Sequence, residues 1–399
     1  MSRSWQEGIY EMKKQRVLFV SPTPSHPQDA GNRARIFQIA SLIKRYGHEL
    51  HFCHIVHSPG NLHEMINYWD RYINIPPNFT YKSEIIRSWN WRIAQRLPRL
   101  TIPYGVDDWI PNDCVKKVKN ALGNTQYDIV IVNYVFLSKI LDIFDDNVVK
   151  IIDTHDKFGG RAKLFLKNNE IPSWFFTTEN QERKALNRSD IIFAIQENEY
   201  RYFQKLSSKQ VLKIGHFSPV SRICECSCSN KDLLFIGSDN AINRHAARRL
   251  IDEIFPAVKK SVPNAKLTIA GKVCHSIGDV PEGCCKIGTF GDLYEVYRTK
   301  ALVVNPVFFG TGLKIKNIEA LSFGMAVITT DVGAEGIEEG SDIAFAVAST
   351  SKQFSDVVVD LLLNPQSRIK FQKKALEFVK NYNKQIIEKI DSVFSPNIL

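Results

Sequence analysis

Residues 305–324 read NPVFFGTGLKIKNIEALSFG and bring together groups suited to holding a diphosphate. Gly310, Thr311 and Gly312 make a glycine loop, through which a backbone can approach a ligand closely. A helix is expected to start near Leu313 and to stop at Gly324. The free N–H groups of a helix start favour an anion, and Lys314 and Lys316 add positive charge there. Glu319 follows about one and a half turns later, where a carboxylate can accept hydrogen bonds from sugar hydroxyls. A second pair, His155-Asp156, comes one residue after the strand-like run Lys150–Asp153. In open α/β sheets that is the strand end where ligands bind. The pair reads either as a contact to a bound ligand, or as a polar loop satisfied by its own backbone.

The elements that must position these groups alternate in type. Strand-like apolar runs occupy Arg16–Val20, Glu49–Val56, Asp128–Asn133, Lys150–Asp153 and Asp190–Ile195, with a helical pattern over Ala34–Tyr46 that Gly47 stops. The rhythm restarts with Asp232–Gly237, Ala265–Gly271, Lys286–Gly288, Ala301–Asn305 and Met325–Thr330, and Asn243–Ser261 reads as a helix interrupted or ended near Pro256. The fold class is α/β, with parallel sheets covered by helices on both faces. Two such series predict two Rossmann-like, doubly wound domains facing a central cleft. The stretch His216–Asn230 lacks periodicity and is rich in Ser and Cys, which places the boundary there. The expected division is 1–217, 218–380 and a C-terminal helix over 381–399 packing back toward the first domain.

Composition narrows the class of protein. The chain has 399 residues, 44% hydrophobic and 24% charged, which excludes a disordered chain or a small disulfide scaffold. Its net charge of +10 points to an anionic partner, whether a phosphate ligand, a membrane surface or a nucleic acid. No basic motif of a recognisable nucleic-acid-binding type accompanies it, so nucleic acid is set aside. No apolar run approaches the roughly 18 residues of a membrane-spanning helix, and the start, MSRSWQEGIYEMKKQ, is polar. A soluble cytoplasmic chain is the expectation. The eight cysteines include Cys224, Cys226 and Cys228 in alternation and the pair Cys284-Cys285. That spacing does not suit a structural zinc site, so free thiols in loops of small residues are expected and no metal.

The segment GTGLKIKNIEALSFGMAVITTDVGAEGI, residues 310–337, resembles the family 4 glycosyltransferases, which have the GT-B fold. The likeness continues in residues 233–272 and 287–310, and in the first half in DAGNRAR, in IDTHD at 152–156 and in residues 182–199. The resemblance implies a retaining glycosyltransferase with a nucleoside-diphosphate sugar as donor and no cofactor. It places the ribose hydroxyls on Glu319 and the diphosphate on Gly310, Thr311, Gly312, Leu313 and Lys314. It brings Gly31 to the diphosphate from the opposite domain and includes Gly237, where the first strand of the second domain ends. Two departures stand out. Many members carry a second Glu eight positions before the ribose-binding one, and here that position is Thr311. Many carry an Arg and a Lys after the first strand of the second domain, and here SDNAINRHAA offers only Arg244. Lys314 would then supply the leaving-group charge, with His155 and Asp156 at the reacting end. Arg33 and Arg35 read equally as phosphate contacts or as a solvated helix start.

All six tryptophans lie in the first half, on the acceptor side of this fold. Residues 85–100 hold Trp89 and Trp91 with Arg87, Arg92, Arg96 and Arg99 and no acid. This Arg87–Arg99 segment reads as a surface for anionic lipid at the inner face of a membrane, or as a basic helix whose tryptophans belong to the core. The function expected is sugar transfer to a glycan or lipid-linked saccharide in cell-surface polysaccharide biosynthesis. The alternatives are a non-catalytic nucleotide-sugar-binding subunit, favoured by Thr311, and a hydrolysing-type nucleotide-sugar epimerase of the same fold.

Overall fold

The computed structural model describes residues 14–77, 85–86, 88–90, 92, 101–167, 172, 174–221 and 230–394. Two parallel sheets organise it. The first contains β1 (Arg16–Ser21), β2 (Glu49–Ile55), β3 (Arg71–Ile75), β4 (Ile129–Asn133), β5 (Val149–Asp153), β6 (Ile191–Ala194) and β7 (Gln210–Lys213), in the order β3-β2-β1-β4-β5-β6-β7. The second contains β8 (Asp232–Ile236), β9 (Lys266–Ala270), β10 (Cys284–Gly288), β11 (Leu302–Asn305), β12 (Ala326–Thr329) and β13 (Ala346–Val347), in the order β10-β9-β8-β11-β12-β13. Both share the doubly wound pattern, whose order reverses beside the first strand and opens a ligand crevice at the strand ends.

The strands are apolar without a break because both faces of each sheet are covered. Val17 and Phe19 of β1 enter one core with Ile36, Ile39 and Ile43, while Leu18 and Val20 enter the opposite core with Val130 and Val132. Leu233 and Phe235 of β8 face one side of the second sheet and Leu234 the other. Cys284 and Cys285 open edge strand β10 instead of lying in a loop, because their pairing with Leu267 and Thr268 continues the ladder. The five described cysteines are free thiols; Cys224, Cys226 and Cys228 lie outside the described residues.

The helical stretch before Pro256 is also refined. A helix spans Ala241–Arg249, a π-helical turn spans Leu250–Ile254, and a helix resumes over Phe255–Ser261. Proline has no N–H to donate and its ring crowds the carbonyl four residues back, so the turn that precedes it widens. The C-terminal helix begins at Pro365, directly after Asn364, and runs unbroken to Phe394. Its Ala375 and Val379 pack in the second domain, and its Ile386, Ile390, Val393 and Phe394 pack in the first. Among the described residues no helix is long and apolar enough to cross a membrane.

Arg35 departs from both readings of it. It is fully buried, and its guanidinium binds the Asp153 carboxylate at 2.7 Å and the carbonyls of Gly215 at 2.7 Å and Ile214 at 3.0 Å. It stands on the apolar stripe of its helix, four residues before Ile39, which turns it inward rather than to solvent or phosphate. Removing one partner of a buried pair strands the other charge. Arg35→Met should therefore destabilise the first domain by about 3–5 kcal/mol in urea unfolding at pH 7. An unchanged midpoint would show that the pair does not hold this domain together.

Candidate functional site

Between β11 and the Ile315–Ser322 helix the chain makes the glycine loop. Gly310 has φ +133° and Gly312 φ +75°, conformations that side chains resist. A Cβ on Gly310 would lie 2.8 Å from Ile242, and one on Gly312 would lie 3.6 Å from the Asp156 carboxylate. The helix starts at Ile315 with Lys314 at its N-cap, two residues later than Leu313, and Gly324 follows its end with φ +73°. Asn317 anchors the loop from beneath. Its carbonyl oxygen accepts from Asn305 Nδ2 at 2.8 Å, and its amide donates to Gly333 O at 2.9 Å and Thr329 Oγ1 at 3.1 Å.

Lys314 is only 9% exposed, and its ammonium donates to the Gly312 carbonyl at 2.6 Å. Burial lowers its pKa, while Glu335, Asp156 and Glu199 nearby favour the charged form. Lys316 donates to Asn243 Oδ1 at 2.8 Å and to Ile236 O at 3.0 Å, and its ammonium lies over the Phe235 ring. It thus ties the loop helix to the end of β8. Burial, with Lys314 adding to it, pushes Lys316 down to about 7. Glu319 is partly buried and its carboxylate makes no hydrogen bond within the described residues; burial pushes it up to about 7 against the pull of Lys316.

The first domain presents His155 and Asp156 across the cleft. Thr311 Oγ1 donates to Asp156 Oδ2 at 3.2 Å, so the sequence-identified loop and the sequence-identified pair meet. Arg161 binds the same carboxylate at 2.5 Å, and Lys157 N donates to its other oxygen. His155 has φ +60°, stacks on Tyr134 at 4.2 Å between ring centroids, and places Nε2 2.8 Å from Asn133 Oδ1. Asn133 Nδ2 donates to Val20 O, which turns its oxygen to the imidazole. This network assigns the proton to Nε2 and leaves the lone pair on Nδ1. Burial pushes the His155 pKa down to about 4, so the ring is neutral near pH 7. Tyr134 and Trp174 also have positive φ, and their rings pack at 5.1 Å. Three strained side-chain-bearing residues thus gather beside Asp156, the kind of clustering found at functional sites.

The remaining predicted residues divide. Gly31 opens the Gly31–Arg45 helix and faces Ile315, 3.5 Å from where its Cβ would be, so it reaches the start of the loop helix from the opposite domain. Gly237 lies at the end of β8, where a Cβ on Gly271 would meet its carbonyl at 2.4 Å, a backbone packing that needs glycine. Arg33 is committed to Asp29 at 3.2 Å and to Pro59 O at 3.1 Å, and Arg244 to Asp239 at 2.9 Å.

Glu199 and Glu335 escaped sequence reasoning. Glu199 stands in the first turn of the Glu197–Leu206 helix, where an acid reads as a partner of the helix dipole. It is 3% exposed, neither carboxylate oxygen has a hydrogen-bond partner, and burial with the nearby Asp156 charge pushes it up to about 8. Glu335 is raised by burial and restrained by Lys314. Both are acids by type only; their convergence on Lys314 is visible only once the two domains face each other. Among the described residues no cluster of His, Cys, Asp and Glu could hold a metal ion.

The Lys316–Glu319 coupling is testable. Glu319 should titrate near pH 7 in side-chain carbon NMR, and in Lys316→Met it should titrate higher, since the nearby cation that favours its charged form is gone. Titration in the ordinary carboxylate range in both proteins would contradict this burial.

Comparison with known proteins bears on the family and the fold. The family model described as glycosyl transferases group 1 matches residues 230–364. A protein of Klebsiella pneumoniae, described as an uncharacterized 44.6 kDa protein in cps region, is 25% identical over 183 residues. That match spans 42% of this chain and 46% of the relative, less than half of either. A variant of S. aureus TarM in complex with Fondaparinux, alpha-GlcNAc-glycerol and UDP superposes with a TM-score of 0.70 at 12% identity, covering 96% of this chain and 100% of that one. Anabaena HepE in complex with UDP and glucose gives 0.64 at 12% identity, covering 95% and 100%. WaaG, a glycosyltransferase involved in lipopolysaccharide biosynthesis, gives 0.61 at 15% identity, covering 96% and 100%. At these identities the structures speak for the fold. The chain has the two-domain GT-B fold, and residues 230–364 of its second domain match the family model of the glycosyl transferases group 1.

Proposed function

We propose that this chain is a retaining, metal-independent glycosyltransferase that moves a sugar from a nucleoside diphosphate to a glycan or lipid-linked acceptor in cell-surface polysaccharide biosynthesis. The observation that carries the reading is the glycine loop with buried Lys314 meeting His155-Asp156 across the cleft through the Thr311–Asp156 hydrogen bond. The relatives lend the polysaccharide context: one lies in a cps region, and another acts in lipopolysaccharide biosynthesis. TarM and HepE hold UDP, which makes UDP the first nucleotide to test.

In this reading the bond between the anomeric carbon and the diphosphate oxygen breaks, and the electron pair leaves with the diphosphate. The acceptor hydroxyl oxygen bonds to the same face of that carbon, and its proton passes to the departing phosphate oxygen. Loop N–H groups, the start of the Ile315–Ser322 helix and Lys314 meet the charge that develops on the leaving group. These cationic and dipolar groups are the chain's own means of doing what a divalent ion does in other enzymes. Glu319 takes the ribose hydroxyls. Neutral His155 offers Nδ1 as an acceptor to a sugar hydroxyl and adds no charge of its own. Exposed Trp89 and Ile85 favour contact with a membrane interface; Arg87, Arg96 and Arg99 lie outside the described residues.

A thermal-shift panel of nucleoside diphosphates should raise the melting temperature of the wild type with one base, and Glu319→Ala should abolish the shift. Lys314→Ala should lower kcat at least about 100-fold, as expected when a transition-state donor is lost. Binding without turnover for any acceptor would favour the non-catalytic subunit, and no shift with any nucleotide would sink the donor site.

A further inference from the structure

Two cations from opposite domains share one carboxylate at the mouth of the cleft. Asp29 precedes Gly31 by two residues. One of its oxygens takes Arg33 Nη1 at 3.2 Å, and the other takes Lys272 Nζ at 2.9 Å from the second domain. Lys272 follows Gly271 directly, at the carboxyl end of β9 beside Gly237 and the end of β8. That edge is where an open parallel sheet receives its ligand. Asp29 stands at the start of the helix whose Gly31 faces Ile315. The carboxylate therefore sits between the two walls that the donor's diphosphate would occupy.

The surrounding cations are already committed. Arg244 pairs with Asp239, and Lys316 is bound to Ile236 O and Asn243. Unlike these two, Lys272 pairs with a carboxylate of the opposite domain; its side chain is 44% exposed, and it can turn from Asp29 while Arg33 keeps that carboxylate paired. A half-solvated ion pair of this kind contributes little as a strut. It is well suited to exchange, because a diphosphate offers the ammonium more negative charge than one carboxylate.

We propose that Lys272 binds the donor diphosphate and that Asp29 competes with the diphosphate for it. The proposal rests on the donor reading above. It assigns Lys272 the part of the cation that the segment after β8 lacks, and it makes Asp29 a carboxylate that lowers affinity and favours release of the diphosphate product.

The two partners of the bridge make the test. If the pair were a strut between the domains, Lys272→Gln and Asp29→Asn would break the same contact and shift binding the same way. If Lys272 is a phosphate cation, the two variants move in opposite directions. Calorimetric titration with UDP, GDP and ADP, each beside its nucleoside, should show Lys272→Gln weakening the diphosphate about tenfold. The nucleoside should be unaffected, and Lys272→Arg should restore most of the loss. Asp29→Asn should tighten the diphosphate by about threefold, with the difference shrinking in high salt. Shifts of the same sign in the two variants, or an equal loss for nucleoside and diphosphate, overturn the proposal. Binding that is lost in Glu319→Ala yet indifferent to Lys272→Gln overturns it while the donor site stands. Wild type that binds none of the diphosphates brings down both readings.

Discussion

The buried pair of Arg35 and Asp153 is the constraint on which the cleft depends. Its guanidinium reaches the carboxylate at the end of β5 and the carbonyls of Ile214 and Gly215 beyond β7. One side chain thus joins the helix after β1, the strand that delivers His155, and the chain segment leading to the second domain. Gly215 is confined further, since a Cβ there would lie 1.9 Å from the Tyr382 hydroxyl, which accepts from His216 N. Tyr382 belongs to the Pro365–Phe394 helix that packs in both domains. Burying such a pair gains little over well-packed apolar groups, because desolvation offsets attraction. What it secures here is position: His155 Nε2 lies 3.5 Å from Asp153, so the ion pair and the site share an atom group.

Charge in the cleft follows from that geometry. Asp156, Glu199 and Glu335 lie near Lys314, and burial opposes ionisation of Glu199, Glu335 and Lys314. Burial raises Glu199 and Glu335 and lowers Lys314, while the facing opposite charges of Lys314 and Glu335 favour the ionised form of each. Lys316 and Glu319 repeat the pattern one turn further along the loop helix. A site poised in this way has its dipoles and charges fixed before substrate arrives, which is the condition for electrostatic stabilisation without reorganisation.

Legibility in the sequence tracked how local each signal is. The inner strands were readable because a sheet covered on both faces demands unbroken apolar runs, as in Ile129–Asn133. Strands β3 and β7 were not, since they lie at sheet edges, where Arg71, Asn74 and Gln210 interrupt the pattern. The glycine loop was readable because Gly310 and Gly312 adopt backbone that only glycine takes easily. Arg35 carried a signal that went unused: an arginine on an apolar stripe must be paired inside. Lys272 and Asp29 carried none, because nothing in either local sequence states that two domains will bring them within 2.9 Å.

Thr311 gains a physical account from the same seam. Where relatives of this type often carry a glutamate, this chain has a hydroxyl that donates to Asp156 from the other domain. A carboxylate at that position would stand against Asp156, with Glu199 and Glu335 already close to the same lysine. Like charges so placed repel, and at least one would have to remain protonated. The hydroxyl instead turns the contact into a hydrogen bond, while Arg161 neutralises Asp156 from the far side. A carboxylate delivered by the first domain thus occupies the place beside residue 311, and the second domain answers it with a donor. The polar surface at residue 311 is therefore built by both domains together, a hydroxyl from one and a carboxylate from the other.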